Sequence, residues 1–218
     1  MQHKQLVFGI LLVVIFVLTG CLTPGQKRVQ FTFENVSRLT LGQPMNEDDV
    51  NKLFGPINET IPHYNNAGVW LVMPYGYVEK SHIRWLWIEL QGNRLEDLKL
   101  NGFQYISTHK EDFPRTDLQG KHKIRINHST KNDLRRLLGE PNGKIICPTF
   151  IDRKLKRCKH LNEIWQYYLA ECKADEKEDQ IFNLILTQLS VSLNRAGTVV
   201  EVKTFEPVAI KGVCMPNF

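Results

Sequence analysis

The chain has 218 residues, of which 42% are hydrophobic and 10% aromatic, with 28 Lys and Arg against 23 Asp and Glu, a formal charge of +5. That length allows one large domain or two small ones. So small a positive surplus does not indicate nucleic acid as a partner.

The first element is a processed leader. Met1 to Gln5 carry Lys4, Leu6 to Leu18 are apolar apart from Gly9, and Leu18-Thr19-Gly20-Cys21 follows at once. A charged n-region, an apolar h-region and a processing site read as a signal peptide over residues 1–20. The apolar run is thirteen residues long, whereas a spanning helix needs roughly 20, so a permanent transmembrane helix is the weaker reading. Leu18-Thr19-Gly20-Cys21 resembles a lipobox, in which small residues admit the peptidase and the cysteine thiol receives a diacylglyceryl group. Cys21 is therefore expected to be a lipid anchor and not a catalyst. A single acyl chain holds a protein only marginally; the glyceride plus amide acylation that the resemblance implies is enough for stable attachment. Leu22, in place of Asp, points by resemblance to enterobacterial sorting to the outer membrane, facing the periplasm. Residues 21–32 are the expected tether. Cleavage removes Lys4 as the one charged residue, so the charge falls to +4 (+5 − 1).

Next comes a pattern that occurs twice. Asn46-Glu47-Asp48-Asp49-Val50-Asn51-Lys52-Leu53-Phe54-Gly55-Pro56 and Thr130-Lys131-Asn132-Asp133-Leu134-Arg135-Arg136-Leu137-Leu138-Gly139-Glu140-Pro141 both read as one short helix. Asn46 and Thr130 can cap free N–H groups, with Asp49 and Asp133 three residues on, near the positive end of the helix dipole. The triplets Val50, Leu53, Phe54 and Leu134, Leu137, Leu138 repeat at i, i+3, i+4, which buries one stripe of each helix. Gly55 and Gly139 permit the left-handed cap, and Pro56 and Pro141 prevent continuation.

Three strands are expected after each helix. In the first half they are Val69 to Tyr75, His82 to Gln91 and, past a turn at Gly92-Asn93, Arg94 to Leu100; in the second they are Glu163 to Leu169, Phe182 to Leu193 and, past Asn194 to Gly197, Thr198 to Phe205. Turn residues and β-branched or aromatic runs supply the signal. Trp70 and Trp165 occupy matching places. Leu189, Val191 and Leu193 alternate with Gln188, Ser190 and Ser192, so one face of the sheet is covered and one is wet. In the first half, Ile83, Trp85 and Trp87 alternate with Leu86, Ile88 and Leu90, leaving both faces apolar. That fits a central strand covered on both sides. It also fits an aromatic patch for docking a partner, built from Trp70, Trp85 and Trp87 and extended by Tyr75 and Tyr77.

A lipobox, a turn-helix running from Leu41-Gly42-Gln43-Pro44 through Gly55-Pro56, and a Trp-bearing three-stranded set together resemble the SmpA/OmlA family of BamE-like outer-membrane lipoproteins. The resemblance covers roughly residues 33–101 and 124–206. It implies an α+β fold of two tandem αα-βββ units, each a short helical hairpin packed on a three-stranded antiparallel sheet, a pairing that also resembles the β-lactamase-inhibitor protein fold. The expected division is a first unit at 33–101, a connector at 102–123 and a second unit at 124–218 that includes the disulfides and the tail. The family has one such unit where this chain has two, and the segments 102–123, 147–161 and beyond Pro207 are extra. The implied role is non-catalytic: a lipid-anchored periplasmic protein that binds another envelope protein, in outer-membrane protein assembly or envelope integrity. The alternative is an inhibitor-like module that blocks a periplasmic or extracellular enzyme. No cofactor is expected.

Cys147, Cys158, Cys172 and Cys214 remain besides Cys21, an even number that in an oxidising compartment suggests two disulfides in any of three pairings. Cys147–Cys158 would close a local loop. In a meander the first and third strands run the same way, which would bring Cys172 and Cys214 out at one end. Zinc is the competing reading of Cys158 and His160, but no Cys-x-x-Cys accompanies them.

Other motifs are sparse. Ser107-Thr108-His109-Lys110 matches Ser-x-x-Lys without its companion motifs, and the seven histidines show no metal-ligand spacing. Arg153-Lys154-Leu155-Lys156-Arg157-Cys158-Lys159-His160 reads as a solvated loop or as a contact for anionic headgroups.

Overall fold

The structure is a computed structural model and describes residues 33–56, 60–65, 68–79, 82–108, 118–147, 161–174 and 182–214. The signal peptide, Cys21 and the tether expected from sequence lie outside these residues. So do Cys158, the basic run at 153–160, His109 and Lys110.

The elements in order are α1 (Phe33–Ser37), α2 (Glu47–Phe54), β1 (Ile61–Asn65), β2 (Gly68–Glu79), β3 (His82–Gly92), β4 (Lys99–Ser107), α3 (Lys131–Leu138), β5 (Gly143–Ile146), β6 (Glu163–Ala174), β7 (Phe182–Leu193) and β8 (Val199–Cys214). Short 3-10 turns occupy Leu95–Asp97 and Leu118–Lys123. Strands predominate over helices, and every strand pairing is antiparallel.

Both capped helices form where the sequence places them. Asn46 Oδ1 accepts from Asp49 N at 2.9 Å while Asn46 N donates to Asp49 Oδ2 at 3.1 Å, and Thr130 with Asp133 repeats the exchange. Each helix ends in a glycine with positive φ, Gly55 at 87° and Gly139 at 81°, a conformation that side chains with a Cβ resist. The buried stripe is narrower than the triplets suggest. Val50, Phe54, Leu134 and Leu138 are fully enclosed, whereas Leu53 and Leu137 are only partly buried at the edge of their clusters.

The strand assignments need three corrections. Of the strand expected at Arg94 to Leu100 only Lys99 and Leu100 are extended: Asp97 Oδ1 accepts from Arg94 N at 2.7 Å and tightens a 3-10 turn, and β4 begins at Lys99. β4 then runs through Ser107, inside the stretch expected to be a connector. There are also two additional strands, β1 and β5, so that among the described residues four strands follow each of the capped helices α2 and α3. Finally, there are not two separate three-stranded sheets. The eight strands form one sheet in chain order, because β5 pairs with β4 (Gly102↔Ile145, Gln104↔Gly143) and with β6 (Gly143↔Gln166, Ile146↔Glu163).

The helices share one face of this sheet. α2 covers Leu71, Met73, Leu86, Ile88, Leu90 and Leu100, while α3 covers Trp165, Tyr167, Leu189, Val191, Leu193 and Val199. The segment before each helix is tied to the start of a fourth strand: Met45 N donates to Leu98 O (3.1 Å) and Leu100 N to Gln43 O (3.0 Å) in the first half, Lys131 N to Gly197 O (3.2 Å) and Val199 N to Ser129 O (2.9 Å) in the second.

Candidate interaction surface

Alternation along the strands sends every second side chain to the face opposite the helices. Trp85 and Trp87 stand there, half-buried, with ring centroids 6.0 Å apart and an edge-on angle of 67°. In register they lie between Gly76 and Pro74 on β2 and Ile106 and Gln104 on β4. Ile83, Ile106, Tyr168, Ala170 and Leu184 form a third apolar cluster on this face, with Trp85, Cys172, Leu186 and Ile210 partly buried against it. The cluster crosses from β3 and β4 to β6, β7 and β8.

That continuity depends on Asn142. β5 spans only four residues, so beyond Gly143 there is no strand between β4 and β6. Asn142 fills the gap: its backbone carbonyl accepts from Tyr105 N at 2.8 Å and its side-chain Oδ1 accepts from Tyr168 N at 2.9 Å. Tyr168 then donates its hydroxyl to Gln104 Oε1 at 3.2 Å across the junction. Burial holds the Tyr168 phenol well above its ordinary pKa, so it stays a neutral donor. Further along the same face the residues turn polar, with Gln166, Gln188, Ser190 and Ser192 on β6 and β7.

The five residues expected to form one docking patch do not all face the same way. Tyr75 belongs to the core under α2, buried to 4% exposure, with its ring 6.0 Å from Phe54 and its hydroxyl 3.3 Å from Asn51 Oδ1. Its register partner is Leu86, on the opposite side of β3 from Trp85 and Trp87. Trp70 and Tyr77 pair in backbone register with Gln91 and Arg84; their side chains lie outside the described set. Trp165, which the sequence pattern aligns with Trp70, is a core residue under α3 at 1% exposure, whereas the register places Trp70 on the other face from Leu71. Arg135, Lys144 and Lys131 stand over its ring at 5.1, 5.5 and 5.9 Å, and its Nε1–H donates to Glu163 Oε2 at 3.0 Å. Those cations are themselves paired with Glu140 and Glu163, so this cluster closes the core edge under α3.

Cys147 and Cys172 are each disulfide-bonded. They are not bonded to one another. Cys147 N donates to Asn162 O at one end of β6, and Cys172 lies nine residues past Glu163, about 30 Å along the strand at roughly 3.3 Å per residue. Of the Ser-x-x-Lys match, Ser107 is buried at the end of β4, and Thr108 Oγ1 accepts from Ile83 N at 2.9 Å, which pins the strand end. Among the described residues no group of three or more His, Cys, Asp and Glu is placed to hold a metal ion, and no helix is long and apolar enough to cross a membrane.

Asn142 escaped the sequence reading because Pro141-Asn142-Gly143 has the composition of an ordinary turn; nothing local marks it as the joint of a sheet.

No family model and no curated protein matches the chain. Among solved structures it is similar to a Streptococcus mutans protein provisionally named a beta-lactamase inhibitor protein, at 10% identity and a TM-score of 0.44, over 82% of this chain and 98% of that one.

Proposed function

We propose that the chain is a non-catalytic lipoprotein, anchored at the outer membrane through Cys21 and facing the periplasm, which binds another envelope protein through the face of its sheet opposite α2 and α3. Its two halves are proposed to be tandem copies of one unit of SmpA/OmlA type. The matched capping boxes, the positive-φ glycines after them and the parallel ties of Gln43 and Met45 to β4 and of Ser129 and Lys131 to the β7–β8 turn and the start of β8 support that relation. Assembly or integrity of the outer membrane is the process the family resemblance implies.

The observation that carries the binding reading is the half-buried Trp85–Trp87 pair on a face that neither α2 nor α3 covers. Paired tryptophans at the edge of an apolar cluster supply large contact area at small entropic cost, the usual make-up of a binding hot spot. The test uses a photo-crosslinker placed at Gln104, beside Trp87, in cells that express the full chain. One discrete envelope protein should be captured, and Trp87→Ala should reduce its yield at least tenfold with an unchanged unfolding midpoint. Capture that ignores Trp87→Ala and Trp85→Ala would remove the reading. Separately, Cys21→Ser should block lipidation and processing; a mature, membrane-bound mutant would refute the anchor.

A further inference from the structure

The surface that leads into α3 is basic and carries no acid. From Leu118 to His128 the sequence is Leu-Gln-Gly-Lys-His-Lys-Ile-Arg-Ile-Asn-His, with three basic residues, two histidines and no acid. Its two apolar sides separate cleanly. Leu118 and Ile124 pack against the α3 core cluster, whereas Ile126 points outward and is 50% exposed. The backbone holds that arrangement: Ser129 N donates to Arg125 O (2.8 Å), Ser129 Oγ accepts from Arg125 N (2.9 Å), and Asn127, in the left-handed region at φ 62°, donates its N–H to Val199 O (2.7 Å). Gly120 seats the start of the segment, since a Cβ there would collide with the carbonyl of Leu137.

Around the exposed Ile126 the charges are available. Lys121, Lys123 and Arg125 are exposed and make no ion pair among the described residues. Lys123, Arg125, His128 and Arg136 line a cleft of about 230 Å³. The carboxylate in its wall, Asp133, is engaged by Arg136 at 2.8 Å and by the Thr130 cap. An anion entering the cleft therefore meets a surplus of donors.

We propose that Leu118–His128 is a docking surface for an anionic phospholipid bilayer, with headgroup phosphates taken by Lys121, Lys123 and Arg125 and in the cleft, and with Ile126 inserted at the headgroup level. An apolar tip between cations is the pattern that suits an interface of that kind, because the charges draw the surface in and the side chain then leaves water. The proposal stands apart from the protein-binding reading, since it uses neither the Trp85–Trp87 face nor a partner protein.

Amide hydrogen exchange on the full chain decides it, with vesicles of phosphatidylglycerol mixed into phosphatidylcholine compared with phosphatidylcholine alone. On the anionic vesicles exchange across residues 120–128 should slow by about fivefold or more, and high salt should abolish the effect. Lys123→Gln with Arg125→Gln should abolish it too, and Ile126→Ser should weaken it. If that double variant fails to fold, Lys121→Gln with Lys123→Gln gives the same reading from exposed side chains alone. Equal protection on both kinds of vesicle, protection by inorganic phosphate without vesicles, or no protection at all would overturn the proposal.

Discussion

Leu134 and Leu137 lie within one helical turn of each other, and the sheet treats them differently. Leu134 is fully enclosed among Trp165, Leu189 and Val191, while Leu137 sits on the rim of that cluster. Leu134→Ala should therefore cost about 2–5 kcal/mol in denaturant unfolding, with Leu137→Ala clearly smaller because its site can relax or admit water. Equal losses would mean that the rim is as closed as the centre. Asp133 gives a prediction in pH. The backbone N–H and the hydroxyl of Thr130 hold its carboxyl below the ordinary 3.8, with Arg136 and Arg125 adding to the effect. A depressed folded-state pKa means that the unfolded chain takes up the proton first. The contribution is thus complete above about pH 4 and fades as pH falls through the folded pKa. Asp133→Asn should lower the unfolding midpoint at pH 6, and the gap to the parent should close towards pH 2; a gap independent of pH would contradict the assignment.

At the level of elements, the legible ones were those whose cause is local. The capping boxes, the helix-ending glycines and the strands β6 and β7 follow from neighbouring residues in the sequence. The elements that escaped were β1, β4 and β5. β4 carries Phe103, Tyr105 and Ser107 against Gln104 and Ile106, an alternation that is present in the letters but hidden by Gly102 at its centre, where the chain must pass close to Ile145. β5 is four residues long and owes its conformation to the strands on either side. Where β5 stops, Asn142 links the β4 and β6 backbones, accepting from Tyr105 N and Tyr168 N. Asn142→Ala should leave the Tyr168 N–H buried without an acceptor, at about 1–3 kcal/mol in the same unfolding measurement. A change under about half a kcal/mol would mean that β4 and β6 are held together by side-chain packing alone.

For the whole molecule the open covalent question is the partners of Cys147 and Cys172. Cys147 leaves β5 into the segment that holds Cys158, and Cys214 on β8 lies opposite Phe182, which also pairs with Ala174, two residues beyond Cys172. We predict Cys147–Cys158 and Cys172–Cys214, each contributing roughly 2–4 kcal/mol. Peptide mapping of unreduced protein checks this, and a Cys158–Cys172 or Cys147–Cys214 peptide would refute it.

The sequence by itself determined the two capped helices, the central strands beside them, and the both-sided apolar character of β3. Each follows from spacing within a dozen residues, where helix and strand periodicity and capping chemistry act. Only the tertiary structure decided that the described strands join in one eight-stranded sheet, that Tyr75 turns inward while Trp85 and Trp87 turn to the face opposite α2 and α3, and that Ile126 stands out of a basic turn. Periodicity divides a strand into two faces but does not say which face meets a helix. That choice depends on edge pairing and packing between segments far apart in the chain, here β4 against β5 and α2 and α3 on the same side.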